Sequence, residues 1–140
     1  MNKKKIFILL GIIMILSVAI SNVAFSKGPY LDEEFVVQKS VINTFDLKDN
    51  DLKPLFMRDI YDDTIAKESP ETRVKVAEAI YMLKQDNELS IGDFKPMIFL
   101  KGKDKILIGV KHPDNNITLT EFDLSKEKPV MGNKQVKEAK

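Results

Sequence analysis

The 140-residue chain has no cysteine and no tryptophan, one histidine and only two arginines, Arg58 and Arg73. Without cysteine there is no disulfide, no thiolate zinc site and no lipid attachment through a lipobox. With His112 the sole imidazole, a multi-histidine metal centre is excluded, and any histidine proton shuttle must use that one ring. Ser40, Ser69, Ser90 and Ser125 stand in no G-x-S-x-G or S-x-x-K setting. Charge of one sign is lacking too: the formal net charge is +1, which argues against a nucleic-acid binder. Internal repeats and low-complexity linkers are absent.

Long apolar runs are also scarce, and the one present opens the chain: MNKKKIFILLGIIMILSVAISNVAFSKG. Lys3, Lys4 and Lys5 form a basic start. From Ile6 to Ile20 all residues are apolar except Gly11 and Ser17. A polar-edged tail to Ser26 completes the three-part pattern of a secretory signal peptide. Ala24-Phe25-Ser26 before Lys27 offers the short side chains that signal peptidase accepts, as does Ala19-Ile20-Ser21 before Asn22. The first site leaves Lys27-Gly28-Pro29 at the new amino end and is the expected one. The alternative keeps residues 6–25 as a membrane anchor, since twenty helical residues span roughly 30 Å. In either case the lysines hold the start in the cytoplasm and the remainder is exported.

Removing residues 1–26 leaves one domain's worth of chain, with nineteen basic residues facing twenty-one acidic ones. Twenty lysines against two arginines, with no cysteine, fit an exported bacterial protein better than a disulfide-stapled secreted module.

The apolar spacing of Leu31, Phe35, Val41, Ile42 and Phe45 predicts a first helix, with Asp32, Glu33 and Glu34 at its positive end. Leu52, Leu55, Phe56 and Ile60 predict a second, capped by Asp51 with Pro54 in its first turn. Ser69-Pro70-Glu71 is the clearest helix start in the chain, and Val74, Ala77, Ile80, Tyr81 and Leu83 are its expected buried stripe. After Gly92, strands are predicted at Met97–Leu100, Lys105–Lys111 and Ile117–Leu124, separated by turns. Ile106, Ile108 and Val110 alternate with Leu107 and Gly109, which makes the middle strand central. The expected fold is α+β: about three amino-terminal helices packed on one face of a three-stranded antiparallel meander. The expected domain covers 27–131, with 132–140 a flexible tail.

Chemistry is thin. In RDIYDD, Asp59, Asp62 and Asp63 stand three and four apart, so on a continuing helix they would share an edge able to offer oxygens to Ca²⁺ or Mg²⁺. A solvated acidic helix edge opposite Leu55, Phe56 and Ile60 is the plainer account of them. DLKDND at 46–51 resembles a calcium loop only loosely, since Lys48 occupies a ligand position and no glycine follows. Lys95, Lys101, Lys103, Lys105 and Lys111 gather about the first two predicted strands, where they guard sheet edges or meet envelope polyanions. His112, before Pro113, reads as an exposed turn residue. No catalytic residue and no cofactor are expected.

The sequence therefore points to a non-enzymatic binding domain, secreted or on the outer face of the membrane. Its partner would be a protein or an envelope polymer, with Phe35, Phe56, Tyr61, Tyr81 and Phe94 as candidate anchors. One alternative is an extracytoplasmic hydrolase built on Asp59, Asp62 and Asp63. Another is a membrane-tethered inhibitor or regulator of an envelope enzyme.

Overall fold

The computed structural model describes residues 29–48 and 51–140; the apolar leader, with its cleavage site and its alternative anchor at 6–25, lies outside the described residues. Among the described residues no helix is long and apolar enough to cross a membrane. The chain divides into Met1–Asp32 and Glu33–Lys140. Of the first unit only residues 29–32 are described, as the opening turn of a helix, and the packing below concerns the second.

The elements run α1 (Pro29–Phe45), β1 (Leu52–Leu55), α2 (Met57–Tyr61), α3 (Pro70–Gln85), β2 (Met97–Lys101), β3 (Lys105–Lys111), β4 (Asn116–Asp123) and β5 (Val130–Glu138). All five strands form one antiparallel sheet in the order β1-β2-β3-β4-β5. The expected three-stranded meander after three helices is thus corrected to a five-stranded sheet with one strand inserted among the helices.

The inserted strand is β1. Pro54 forces Lys53 toward an extended backbone, and Leu52–Leu55 pair with Lys101–Ile98 of β2. Proline is tolerated there because β1 is an edge. The other addition is β5, where a frayed tail was expected. It pairs with β4 from Asp123↔Val130 to Asn116↔Glu138 across a bulge near Thr120. Its end is tied down, because Ala139 N–H donates to Asn115 O at 2.9 Å and Lys140 N–H to Thr44 Oγ1 at 3.0 Å.

The helices lie on both faces of the sheet, not on one. Ile98, Leu100, Ile106, Ile108, Val110 and Phe122 pack with Ile60 of α2 and with Val76, Ala79, Ile80 and Leu83 of α3. The alternate residues Met97, Phe99, Leu107, Ile117 and Leu119 pack with Val37 and Val41 of α1. Period-two alternation along β2, β3 and β4 feeds the two cores. This makes a three-layer sandwich.

Two helix faces differ from expectation. In α3 the buried stripe is Val76, Ala79, Ile80 and Leu83, while Val74 and Tyr81 point outward. The helix carries apolar residues on two sides, so the 3.6-residue period alone does not choose between them. In α1 the buried positions are Val37, Ser40, Val41 and Thr44, and Phe35 is exposed. The α3 start is as expected: Ser69 Oγ accepts from Thr72 N–H at 3.2 Å, and Pro70 opens the helix.

Candidate functional site

The best-organised polar constellation lies where the α3–β2 loop meets the β3–β4 turn. Asn87, at φ 58°, ends α3 in a left-handed conformation, and Glu88 N–H and Leu89 N–H return to Leu83 O. A tight turn follows at 90–93. Asp93 N–H donates to Ser90 O at 3.2 Å, and Gly92 takes φ 100°, where a side chain would be strained. Phe94 N–H then donates to Lys111 O at 3.0 Å, which sets the loop against the end of β3.

That join brings Asp93 to His112. Asp93 Oδ2 accepts Ser90 N–H at 2.7 Å, and Oδ1 lies 2.8 Å from His112 Nδ1. His112 Nε2 lies 2.8 Å from Thr118 Oγ1 on β4. A carboxylate accepts only, so Nδ1 carries the proton toward Asp93, and in the neutral ring Nε2 accepts from the Thr118 hydroxyl. His112 is therefore no free turn residue; it is half-buried and bonded through both nitrogens.

The order Asp–His–Thr is that of a hydroxyl-nucleophile triad, but the surroundings differ. Thr118 is 4% exposed and sits within a paired strand between Val110 and Val136. Physically the chain is a staple that fixes the 90–94 turn to the β3–β4 hairpin.

What the staple holds in place is an open apolar groove. It has a volume of about 770 Å³, with Met57, Ile80, Leu89 and Phe94 along its walls and Asp93 at the stapled end. Ile91, at the tip of the Gly92 turn, is wholly exposed beside it. Lys84 and Lys95 also line it, and Lys95 Nζ lies 3.6 Å from Glu34. A second groove of about 630 Å³ runs between α1 and edge strand β1, past Phe35, Ile42, Leu52 and Pro54.

The acidic residues singled out in the sequence do not meet. The helix that would have aligned them ends at Tyr61, and each carboxylate serves a local bond. Asp59 Oδ2 accepts Phe56 N–H at 2.9 Å at the start of α2. Asp62 Oδ1 accepts the backbone N–H and hydroxyl of Thr64, at 2.9 and 2.6 Å. The Thr64 hydroxyl first, then its N–H, hold the Asp62 carboxyl below its usual pKa of 3.8. Asp63 Oδ1 pairs at 2.6 Å with Arg73, whose guanidinium also donates to Ile60 O. Among the described residues no three His, Asp or Glu side chains gather as a metal site would require.

The lysine cluster is partly neutralised. Glu121 lies 3.8 Å from Lys101 and 3.2 Å from Lys105, and Lys111 stands over the Phe94 ring at 5.6 Å. Of the proposed anchors, Phe35, Tyr61 and Tyr81 are more than half exposed, while Phe56 and Phe94 are half-buried. The Asp93–His112–Thr118 chain had no sequence signal, because its members belong to no motif and meet only through the loop. No known protein family, curated protein or solved structure matches this chain.

Proposed function

We propose that this is an exported, non-enzymatic binding domain, secreted or held at the outer face of the membrane, and that its ligand occupies the Leu89–Phe94 groove. The observation that carries the reading is the stapled turn beside that groove. The Asp93–His112–Thr118 bonds and the Gly92 turn hold Ile91 out in water next to an apolar trough. Ordering a loop in advance lowers the entropy cost of binding. An apolar groove lined also by Lys84 fits an apolar segment of a partner protein that carries carboxylates. Export rests on the basic-then-apolar leader.

Among the described residues both cores are built from residues 37–139, all of which the mature form beginning at Lys27 keeps. The test titrates that form, labelled with ¹⁵N, with a short synthetic peptide of leucine and phenylalanine flanked by glutamates. The amides of Leu89, Ile91 and Phe94 are expected to shift, with affinity falling at least tenfold in Ile91→Asp and in Lys84→Glu. Unmoved amides refute the groove. Equal shifts with a polyphosphate chain and no peptide effect would assign it to an envelope polymer instead. The hydrolase alternative requires Ca²⁺, Mg²⁺ or Mn²⁺ to raise the melting temperature of the wild type and not of Asp62→Asn; such a rise overturns the non-enzymatic reading. Intact mass tests export: a chain beginning at Lys27, or full-length chain in membranes, is expected, and full-length chain dissolved in cytosol refutes it.

A further inference from the structure

The two edges of the sheet are unequal. β1 has four residues and a proline without an amide hydrogen, which blunts it as a template. β5 has nine residues, and among the described residues no strand pairs with its outer side. The register shift between Thr120 and Phe122 separates its start from the regularly paired segment 134–138.

Which groups of that segment face outward follows from its register. Ala139 N–H donates to Asn115 O, and Lys137 and Gln135 pair with Ile117 and Leu119. The odd-numbered backbone groups therefore point at β4. Successive residues alternate, so the N–H and C=O of Lys134, Val136 and Glu138 point away from it, toward open solvent. Val136 is 57% exposed on this edge.

We propose that two copies of this protein join antiparallel through residues 134–138 of β5, about a two-fold axis at Val136, to make one continuous sheet. The charges select that register. With Val136 opposite Val136, Lys134 of each copy faces Glu138 of the other, and Gln135 faces Lys137. Centring the axis on Lys134 or Lys137 sets like charges opposite each other, and centring it on Gln135 leaves Lys134 facing Val136. The three outward residues per copy form about six main-chain hydrogen bonds across the axis. An isologous contact of this kind closes at two copies and does not propagate.

Lysines on an edge commonly repel an incoming strand. Here each has a partner within its own chain: Lys134 Nζ bonds Glu88 Oε1, and Lys137 Nζ lies 5.1 Å from the centre of the Phe45 ring. Pairing over so short a segment falls below the roughly 1,200 Å² of a stable interface, so the dimer is a weak, transient one.

Sedimentation equilibrium of the form beginning at Lys27, carried to about 1 mM, is expected to show a monomer–dimer equilibrium. Val136→Pro removes an outward donor and no bond to β4, and should weaken the dimer at least tenfold with an unchanged circular dichroism spectrum. Glu138→Lys and Lys134→Glu should each stay monomeric alone and pair with one another when mixed, since both 134–138 contacts are then opposite in sign. The mixing test stands even if the proline variant fails to fold. A wild type that remains monomeric throughout, or single variants that ignore each other on mixing, overturns the proposal.

Discussion

Replacing Gly109 by alanine tests how closely α1 rides on the sheet. Gly109 lies in the middle of β3, and its backbone is not in the left-handed region, so conformational freedom is not why glycine stands there. A Cβ built at this position would lie 2.8 and 2.9 Å from the two γ-methyls of Val41, against the 3.5–4.0 Å of ordinary carbon contact. Val41 is completely buried, and a β-branched side chain in a helix has essentially one rotamer, so it cannot swing aside. The helix must lift. Overpacking of this kind costs about 1–3 kcal/mol, more than the roughly 0.5–1 kcal/mol that alanine would gain over glycine in a strand. Val41→Ala alone should cost about 2 kcal/mol through lost burial and the cavity left behind. If overlap is the cause, the two changes relieve one another, and the double variant is less destabilised than the sum by about 1–2 kcal/mol. The assay is urea unfolding followed by far-ultraviolet circular dichroism, because the chain has no tryptophan to report tertiary structure. A Gly109→Ala protein as stable as the wild type, or strictly additive effects, would refute the close approach.

The staple and the acid response give two further tests. His112→Ala removes the partners of both Asp93 and the buried Thr118 hydroxyl, so it should cost about 2–3 kcal/mol in the same unfolding assay; a change below 0.5 kcal/mol, the usual span of neutral surface substitutions, would show that the bonds hold nothing. Asp62, Asp114 and Asp123 are held below the usual 3.8 by bonds from Thr64, Asn116 and Ser125 respectively. Because folding lowers these pKa values, their contribution is present above the unfolded value and lost as pH falls through the folded ones. Carboxyl ¹³C titration should therefore place all three midpoints under 3.8. For Asp123 the Ser125 side chain is the largest influence, so Ser125→Ala should raise its midpoint, and an unmoved midpoint would contradict that assignment.

Local signals carried much of this fold into the sequence. The Ser69-Pro70-Glu71 start of α3 and the turns about β3 act within a few residues, and they stand where the pattern put them. The misread elements depend on distant partners. Leu52, Leu55, Phe56 and Ile60 have helical spacing, yet Leu52–Leu55 pair with β2, more than forty residues on. Pro54 is tolerated at the start of a helix or on a sheet edge, so only the pairing decides. Val130–Glu138 shows no apolar alternation because its side chains lie exposed. Backbone bonds to β4, and the tie from Lys140 to Thr44, hold it instead. Such bonds leave no mark on composition.

The candidate site was hidden for the same reason. Asp93 and His112 are nineteen residues apart, and a main-chain bond from Phe94 to Lys111 is what brings them together. RDIYDD was conspicuous because close spacing is visible in a string of letters, but α2 ends at Tyr61 and the shared edge never forms. Visible carboxylates thus went to caps, a turn and an ion pair, each a task that small loops impose on polar side chains. The half-buried His112 follows the same logic at longer range. Both ring nitrogens are bonded, and the geometry they secure is an exposed isoleucine beside an apolar trough. If the binding function proposed above holds, the groove beside Ile91 is where contact should be sought.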